Sequence, residues 1–367
     1  MHITAFHKWA AGPVVFILMF GPLSAQVPKY SNDFLSIGIG ARALGMSNSV
    51  QAFAGDVTSG YWNPSGLNSL SGKAELGLMH AEYFAGIAKF DYGGFALRID
   101  ENSVAGVSVI RVGVDDILNT LDLIDSDGNI RYDMISKFSA ADYGILFSYA
   151  RKSPIEGLHY GGNVKIIYRK IGEFADAYGF GFDVGAQYTL GKWQFGATGR
   201  DITSTFNIWT YNTADLEEPF ALTGNELPEN SLEVTMPAII IGAARRFETI
   251  HKFGVLAAMD ADITFDGKRH TLLRTSVFSI DPHIGVELDY SRVIFLRLGM
   301  GNIQIIPDLD KNKSFDFQPT LGVGLRLKNI LLDYALTDLA DQSIALYANV
   351  FSLKYTFNAG SIRPAEN

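Results

Sequence analysis

The chain of 367 residues contains no cysteine, which excludes disulfide frameworks, thiolate metal centres and cysteine nucleophiles. Past residue 25 it also lacks any run approaching the ~20 apolar residues that a membrane-spanning helix requires. Positive charge is in deficit: 30 Lys and Arg stand against 39 Asp and Glu, a net charge of −9. Nucleic acid is therefore not an expected partner, because neutralising phosphates needs a basic face. The motifs of the common enzyme classes are missing too. There is no His-Glu-x-x-His pair, no Gly-x-Ser-x-Gly elbow and no phosphate loop. "GIGARALG" and "GFGFDVG" carry glycines at fingerprint-like spacing, but neither joins a strand to a helix. Neither an enzyme nor a cofactor is expected.

What remains is a chain rich in glycine and aromatics, with 37 Gly, 25 Phe and 16 Tyr. Residues 1–25 read as a signal peptide: a modest basic start at His7 and Lys8, the apolar core "AAGPVVFILMF", then "GPLSAQ" with cleavage after Ala25. An exported chain this apolar, without a spanning helix, is either a secreted β-sandwich or an outer-membrane barrel.

From Ala74 onward the hydropathy alternates with period two, the mark of a strand whose two faces meet different surroundings. Leu158, Tyr160, Val164, Ile166 and Tyr168 fall on one face, and His159, Asn163, Lys165 and Arg169 on the other. Further on, Ile280, Ile284, Val286, Leu288 and Tyr290 oppose Asp281, His283, Glu287 and Asp289. Fourteen such runs are expected, at 74–82, 85–99, 103–113, 141–152, 157–170, 177–190, 192–201, 236–248, 252–263, 276–290, 293–302, 317–327, 329–337 and 343–357. Their connections sort by length. Those after even-numbered runs are short, whereas 114–140, 202–235, 264–275 and 303–316, after odd-numbered runs, are long. Outer-membrane barrels keep short periplasmic turns and longer external loops, and a sandwich has no reason to. The expected fold is all-β: a 14-stranded antiparallel transmembrane β-barrel over 74–357 in the outer membrane of a Gram-negative bacterium, with outer-membrane lipid around it and a short periplasmic tail, 358–367.

Residues 26–73 do not fit the strand pattern. Small and apolar residues recur at helical spacing up to Gly55, and then comes "DVTSGYWNPSGLNSL", whose Asn63-Pro64-Ser65-Gly66 reads as a turn. The segment is either a periplasmic arm or a small helical plug in the lumen, where Trp62 would be buried and the turn would lead into the first strand.

At these residues the chain resembles the PorV/PorQ outer-membrane family, itself similar to FadL-type fatty-acid channels. The matched elements are Gly40-Ala41-Arg42-Ala43, Gly45-Met46, Asp56, Tyr61-Trp62-Asn63-Pro64 and Gly66-Leu67, within residues 34–67. Ser65 stands where an alanine is common. The resemblance implies a hatch inside a fourteen-stranded barrel, with Arg42, Gly45, Asp56, Trp62, Asn63, Pro64 and Gly66 as its structural motif. It further implies a protein-interaction component of an envelope machine, namely type IX secretion, in cargo shuttling or in a surface-attachment complex. The partners would be other envelope or secretion proteins, met through extracellular loops. The alternative is a FadL-like transporter, whose partner would be a small hydrophobic ligand.

Two composition features bear on that choice. The expected inward faces carry Lys165, Arg169, Asp183, Gln187, His283, Glu287, Asp289, Arg326 and Lys354, which suits a paired network better than a continuous apolar tunnel. The long connection 202–235 offers Phe206, Trp209, Tyr211 and Phe220 among acidic residues: either a partner-binding loop or a flap over the barrel mouth. One acidic cluster, "DSDGN" with Asp125, Asp127 and Asn129 around Gly128, has calcium-loop spacing but no clear terminal Glu, so a solvated turn competes with a calcium site.

Overall fold

Alternating strands whose outer faces are apolar and whose inner faces are polar can satisfy every backbone group only by closing on themselves. The computed structural model, which describes residues 31–125, 127–248, 252–307, 313–337 and 348–358, shows that closure. The expected signal peptide and all but the first residue of the expected tail lie outside the described residues. The strands are β1 (Ala74–Tyr83), β2 (Ala88–Arg98), β3 (Ser103–Asn119), β4 (Ser136–Lys152), β5 (Leu158–Ile171), β6 (Ala175–Leu190), β7 (Trp193–Arg200), β8 (Thr205–Tyr211), β9 (Ser231–Thr235), β10 (Ala238–Glu248), β11 (Phe253–Thr264), β12 (Leu273–Arg274), β13 (Ser279–Tyr290), β14 (Ile294–Pro307), β15 (Lys313–Leu327), β16 (Ile330–Thr337) and β17 (Ala348–Phe357). Each pairs antiparallel with its neighbours, and β1 closes the ring against β17, from Ala74↔Phe357 to Glu82↔Asn349.

The barrel has fourteen staves. β7 and β8 are two lengths of one stave: the lower part of β6 pairs with β7, from Val184↔Gly199 to Leu190↔Trp193, and its upper part pairs with β8, from Ala175↔Tyr211 to Phe180↔Phe206. β9 and β10 form the next stave in the same broken way, with β9 on β8 and β10 on β7. The two-residue β12 only edges β13.

The expected strand positions hold, but several staves run farther than the sequence suggests. β3 and β4 continue as a hairpin past a bulge between Val114 and Ile117, so 114–119 and 136–140 of the expected connection are strand. The connection 202–235 likewise contains β8, β9 and the helix Glu217–Thr223. Between Val114 and Ala141 the apolar amplitude fades, because these lengths of β3 and β4 stand beyond the apolar band, whereas β8 keeps the apolar outward residues Phe206 and Ile208. At the other end the connections are tight. Ser291 and Arg292 both sit at φ 55°, the twisted two-residue turn that matches strand twist.

Residues 31–73 lie inside this wall. They form two short helices, α1 (Ala41–Leu44) and α2 (Ser59–Trp62), and 3-10 turns at Asp33–Leu35 and Pro64–Ser69. Helix α1 touches β15, β16 and β17, and the Pro64–Ser69 turn touches β3, β4, β5 and β6 across the lumen. Close approach is made possible by glycine. A Cβ on Gly45 would stand 2.8 Å from the Gly322 Cα, and one on Gly285 2.7 Å from the Met46 carbonyl oxygen.

Candidate functional site

The lumen is the candidate site, and the inner segment divides it into levels. At the long-loop end a cavity of about 210 Å³ lies between Leu35, Tyr61 and the wall. Its wall lining includes Asp201 and Thr235–Ala238, the residues at which the two broken staves are interrupted. Asp201 and Ser204 hold left-handed backbone there (φ 51° and 57°), which turns the chain off the ladder. On the β6 side the gap is spanned by Ile202 N–H to the Phe182 carbonyl at 3.0 Å and by Asp201 N–H to the Asp183 carboxylate at 2.9 Å. Behind it Lys165 binds Asp183 at 2.8 Å and Asp201 at 2.6 Å. Lys165 and Asp183 are almost fully buried, so each charge depends on the others for what water no longer supplies.

Below this cavity stands an aromatic partition. Tyr61 and Trp62 meet edge to face with centroids 4.8 Å apart, and Arg200 lies 4.6 Å from the Tyr61 ring centre. The Trp62 indole N–H donates to the Ile39 carbonyl at 3.0 Å, and the Tyr61 hydroxyl accepts from Gly38 N–H at 3.1 Å. Both rings are buried. The next residue fixes them to the wall. The Asn63 amide donates to the Ala186 carbonyl at 3.1 Å, while its oxygen accepts from the Ser65 hydroxyl at 2.6 Å. Pro64 opens the 3-10 turn, where no N–H is needed. Gly66 comes against the Ala54 carbonyl so closely that a Cβ would collide with it.

Beneath the partition only about 40 Å³ remains, in a mainly apolar pocket between Ile39, Val50, Met79 and Tyr92. That volume admits a water or two, not an organic ring. Its floor is ionic. Asp56 binds Lys354 at 2.6 Å, and Arg42 binds both oxygens of Glu287 at 2.8 Å. Glu287 also accepts from Arg297, which reaches on to Asp333 at 2.7 Å. Burial works to raise the Asp56 carboxyl, but the Lys354 charge and hydrogen bond, the Thr58 hydrogen bond and Arg42 outweigh it and hold Asp56 well below the usual carboxylate range. On the far side of these pairs lies a cup of about 600 Å³ at the short-turn end, which shares Arg42, Asp56 and Lys354 with the pocket above.

The sequence-selected motif residues thus come together: Arg42, Gly45, Asp56, Asn63 and Pro64 meet the wall, Trp62 forms the partition, and Gly66 packs on Ala54 within the segment. The aromatic set of 202–235 does not. Phe206 points outward from β8, Trp209 and Tyr211 stack on the inner side beside Arg169 and Glu233, and Phe220 lies on the separate helix. Of the calcium candidates, Asp125 uses its carboxylate as a turn acceptor, from Asp127 N–H at 3.1 Å and Asn129 N–H at 2.8 Å. Among the described residues no cluster of acidic and histidine side chains is arranged to hold a metal ion. Arg297, Asp333 and Asp201 were not singled out from sequence. Arg297 could have been, since Phe295, Arg297 and Gly299 alternate against Ile294, Leu296 and Leu298.

No family model and no curated protein matches the chain. Solved structures do. The monoaromatic hydrocarbon channel CymD aligns over 88% of this chain and 98% of its own, at 13% identity and a TM-score of 0.55. The P. putida toluene transporter TodX aligns over 88% and 99%, at 12% identity and a TM-score of 0.53. A Pseudomonas aeruginosa FadL homologue aligns over 88% and 98%, at 12% identity and a TM-score of 0.51. At such identities the likeness is one of fold: this chain has the fourteen-strand barrel architecture of FadL-type outer-membrane channels.

Proposed function

We propose that the protein resides in the outer membrane, short turns toward the periplasm, and passes small, largely apolar compounds inward. The observation that carries this reading is the cavity at the broken staves. It is large enough for a one-ring compound, since a cavity of about 150 Å³ suffices for benzene. It also reaches the wall where the ladder is interrupted. The outward residues on both sides of that interruption, Phe180, Val184, Ile202, Phe206 and Ile208, are exposed and apolar, so the gap lies within the lipid-facing band. A compound dissolved in the outer leaflet would meet it there without crossing the polar headgroups. The lining carries Lys165, Arg200 and several carboxylates, which favours compounds bearing a hydrogen-bonding group over plain hydrocarbons. The names of the structural neighbours support the same class of function.

The envelope protein-handling role rests on the resemblance over residues 34–67. The dispersal of the four aromatics weakens its proposed docking loop. Uptake separates the two readings. Cells lacking the protein should accumulate a small phenol or alkylbenzene more slowly, with restoration by the wild-type gene. Unchanged uptake together with loss of surface-attached proteins would reverse the choice.

A further inference from the structure

The protein as a whole is acidic, yet the cup at the short-turn end is not. Its lining carries Arg42, Arg292, Arg326, Lys328 and Lys354 against only Asp56 and Glu75. Three of the cations are engaged: Arg42 with Glu287, Lys354 with Asp56, and Arg292 with Glu248 at 3.0 Å. The other two are not. Among the described residues no carboxylate stands within ion-pair distance of Arg326 or Lys328, and the contact Arg326 makes is with the Phe295 ring, 5.5 Å from its centre. Arg326 is thus a half-buried guanidinium without an ion pair among the described residues, in a protein of net charge −9.

The placement of these cations is ordered. Lys328 and Arg292 occupy adjacent hairpin turns at the rim, joined where Arg326 N–H donates to the Val293 carbonyl at 2.8 Å. Arg326 pairs across the sheet with Leu331, and Leu331 with Lys354, so the two cations flank one inward row, two strands apart. At the usual strand spacing that separation is about 10 Å, the reach of three residues of extended chain. Ser69, Ser71 and Asn329 add uncharged polar groups along the same rim.

We propose that this cup is a docking site for an acidic peptide segment of a periplasmic partner, held by Arg326 and Lys328 at the mouth and reaching toward Lys354. A single small anion would engage one or two of these cations. A run of carboxylates would follow the whole line from rim to row. The inference depends on the barrel orientation given above only for the compartment from which the segment comes, not for the site itself.

The test uses the full-length mature protein purified in detergent and a fluorescently labelled hexaglutamate peptide, read by anisotropy. The expected result is saturable binding that weakens as salt is raised, because rim charges are screened within about 10 Å at 0.1 M. Arg326→Gln with Lys328→Gln should weaken it at least tenfold, and Lys328→Gln alone, in an exposed turn that leaves the wall intact, severalfold. Lys170→Gln, at the opposite end of the barrel, should bind as wild type does. Absence of saturable binding at low salt would overturn the proposal, as would a double variant that binds unchanged. Competition by free glutamate at the same concentration as hexaglutamate would also overturn it, since that would make the cup a small-anion site. Uptake plays no part in these measurements, so their failure would leave the channel reading standing.

Discussion

The two ends of the lumen treat charge differently. At the long-loop end Lys165 is closed in by Asp183 and Asp201, and the nearby wall adds Asp262, Asp266 and Asp281 around an open cavity. At the short-turn end Arg42, Glu287, Arg297 and Asp333 alternate in sign through a continuous chain, with Asp56 and Lys354 beside it. The first arrangement stiffens a gap in the wall and leaves space next to it. The second ties the inner segment to the wall and leaves almost none between them, with the open cup on its far side. A barrel built in this way is open beside its broken staves and closed at the ionic floor of its inner segment, and the ion pairs, rather than the apolar contacts, mark which end is which.

The comparison can be broken most severely at its centre and its upper end. Trp62→Ala should lower stability by about 3–5 kcal/mol, the usual cost of deleting a core Trp, and should join the upper cavity to the pocket beneath it. Lys165→Met should cost a similar ~3–5 kcal/mol, because two buried carboxylates lose their cation. Thermal unfolding in detergent, followed by loss of the heat-modifiable gel shift, measures both. A midpoint that hardly moves in either variant would mean the named contacts are not formed.

A smaller effect is expected where the inner segment is pressed against the wall. Gly322→Val places a side chain where the Gly45 backbone now lies, and overpacking of this kind costs about 1–3 kcal/mol. If the inner segment stood away from β15, the same substitution would be silent.

The lower latch predicts a pH profile. The folded Asp56 carboxyl lies below its ordinary value, so its contribution is complete above about pH 4 and fades only as the pH falls through the depressed value. Leak of a small solute from proteoliposomes should stay low from pH 7 to about pH 4 and rise only below it. Asp56→Asn should leak at neutral pH already, without that rise. A wild-type leak that grows between pH 7 and 5 would show that another group holds the floor. Phe206→Leu is the smallest change expected, within about 0.5 kcal/mol, because one apolar side chain replaces another on the outward face and no interior space is opened. A loss of several kcal/mol there would place Phe206 in the core instead.

Much of the wall was readable from alternation alone. The inward placement of Lys165, Asp183, Glu287 and Lys354 follows from period two, and so does the outward placement of Tyr160 and Leu288. Period two assigns a face but not a partner, and Arg42 meets Glu287 across 245 residues of sequence. For the same reason Asp201 and Asp333 gave no local sign of the pairs they complete. The stave break was hidden because "DITS" reads as an ordinary strand end, and nothing nearby says that β8 resumes on the same neighbour. The inward glycines were a signal that went unused. Gly161 and Gly285 sit on polar faces where a side chain would be expected, and each lies where the inner segment's backbone presses on the wall.

The seam between β1 and β17 has a consequence for assembly. The inner segment precedes β1 in the chain, yet it bonds both strands of that seam: Val57 N–H donates to Glu75 on β1 at 3.1 Å, and Ala41 N–H to Ser352 on β17 at 2.6 Å. Lys354, opposite Gly77 in the seam register, reaches Asp56. β17 therefore finds its docking template partly in the wall and partly in the segment that precedes β1. A ring zipped with that segment left outside would carry an unmatched lysine and serine at its suture, so the segment acts as a mandrel, and correct closure is inspected from within.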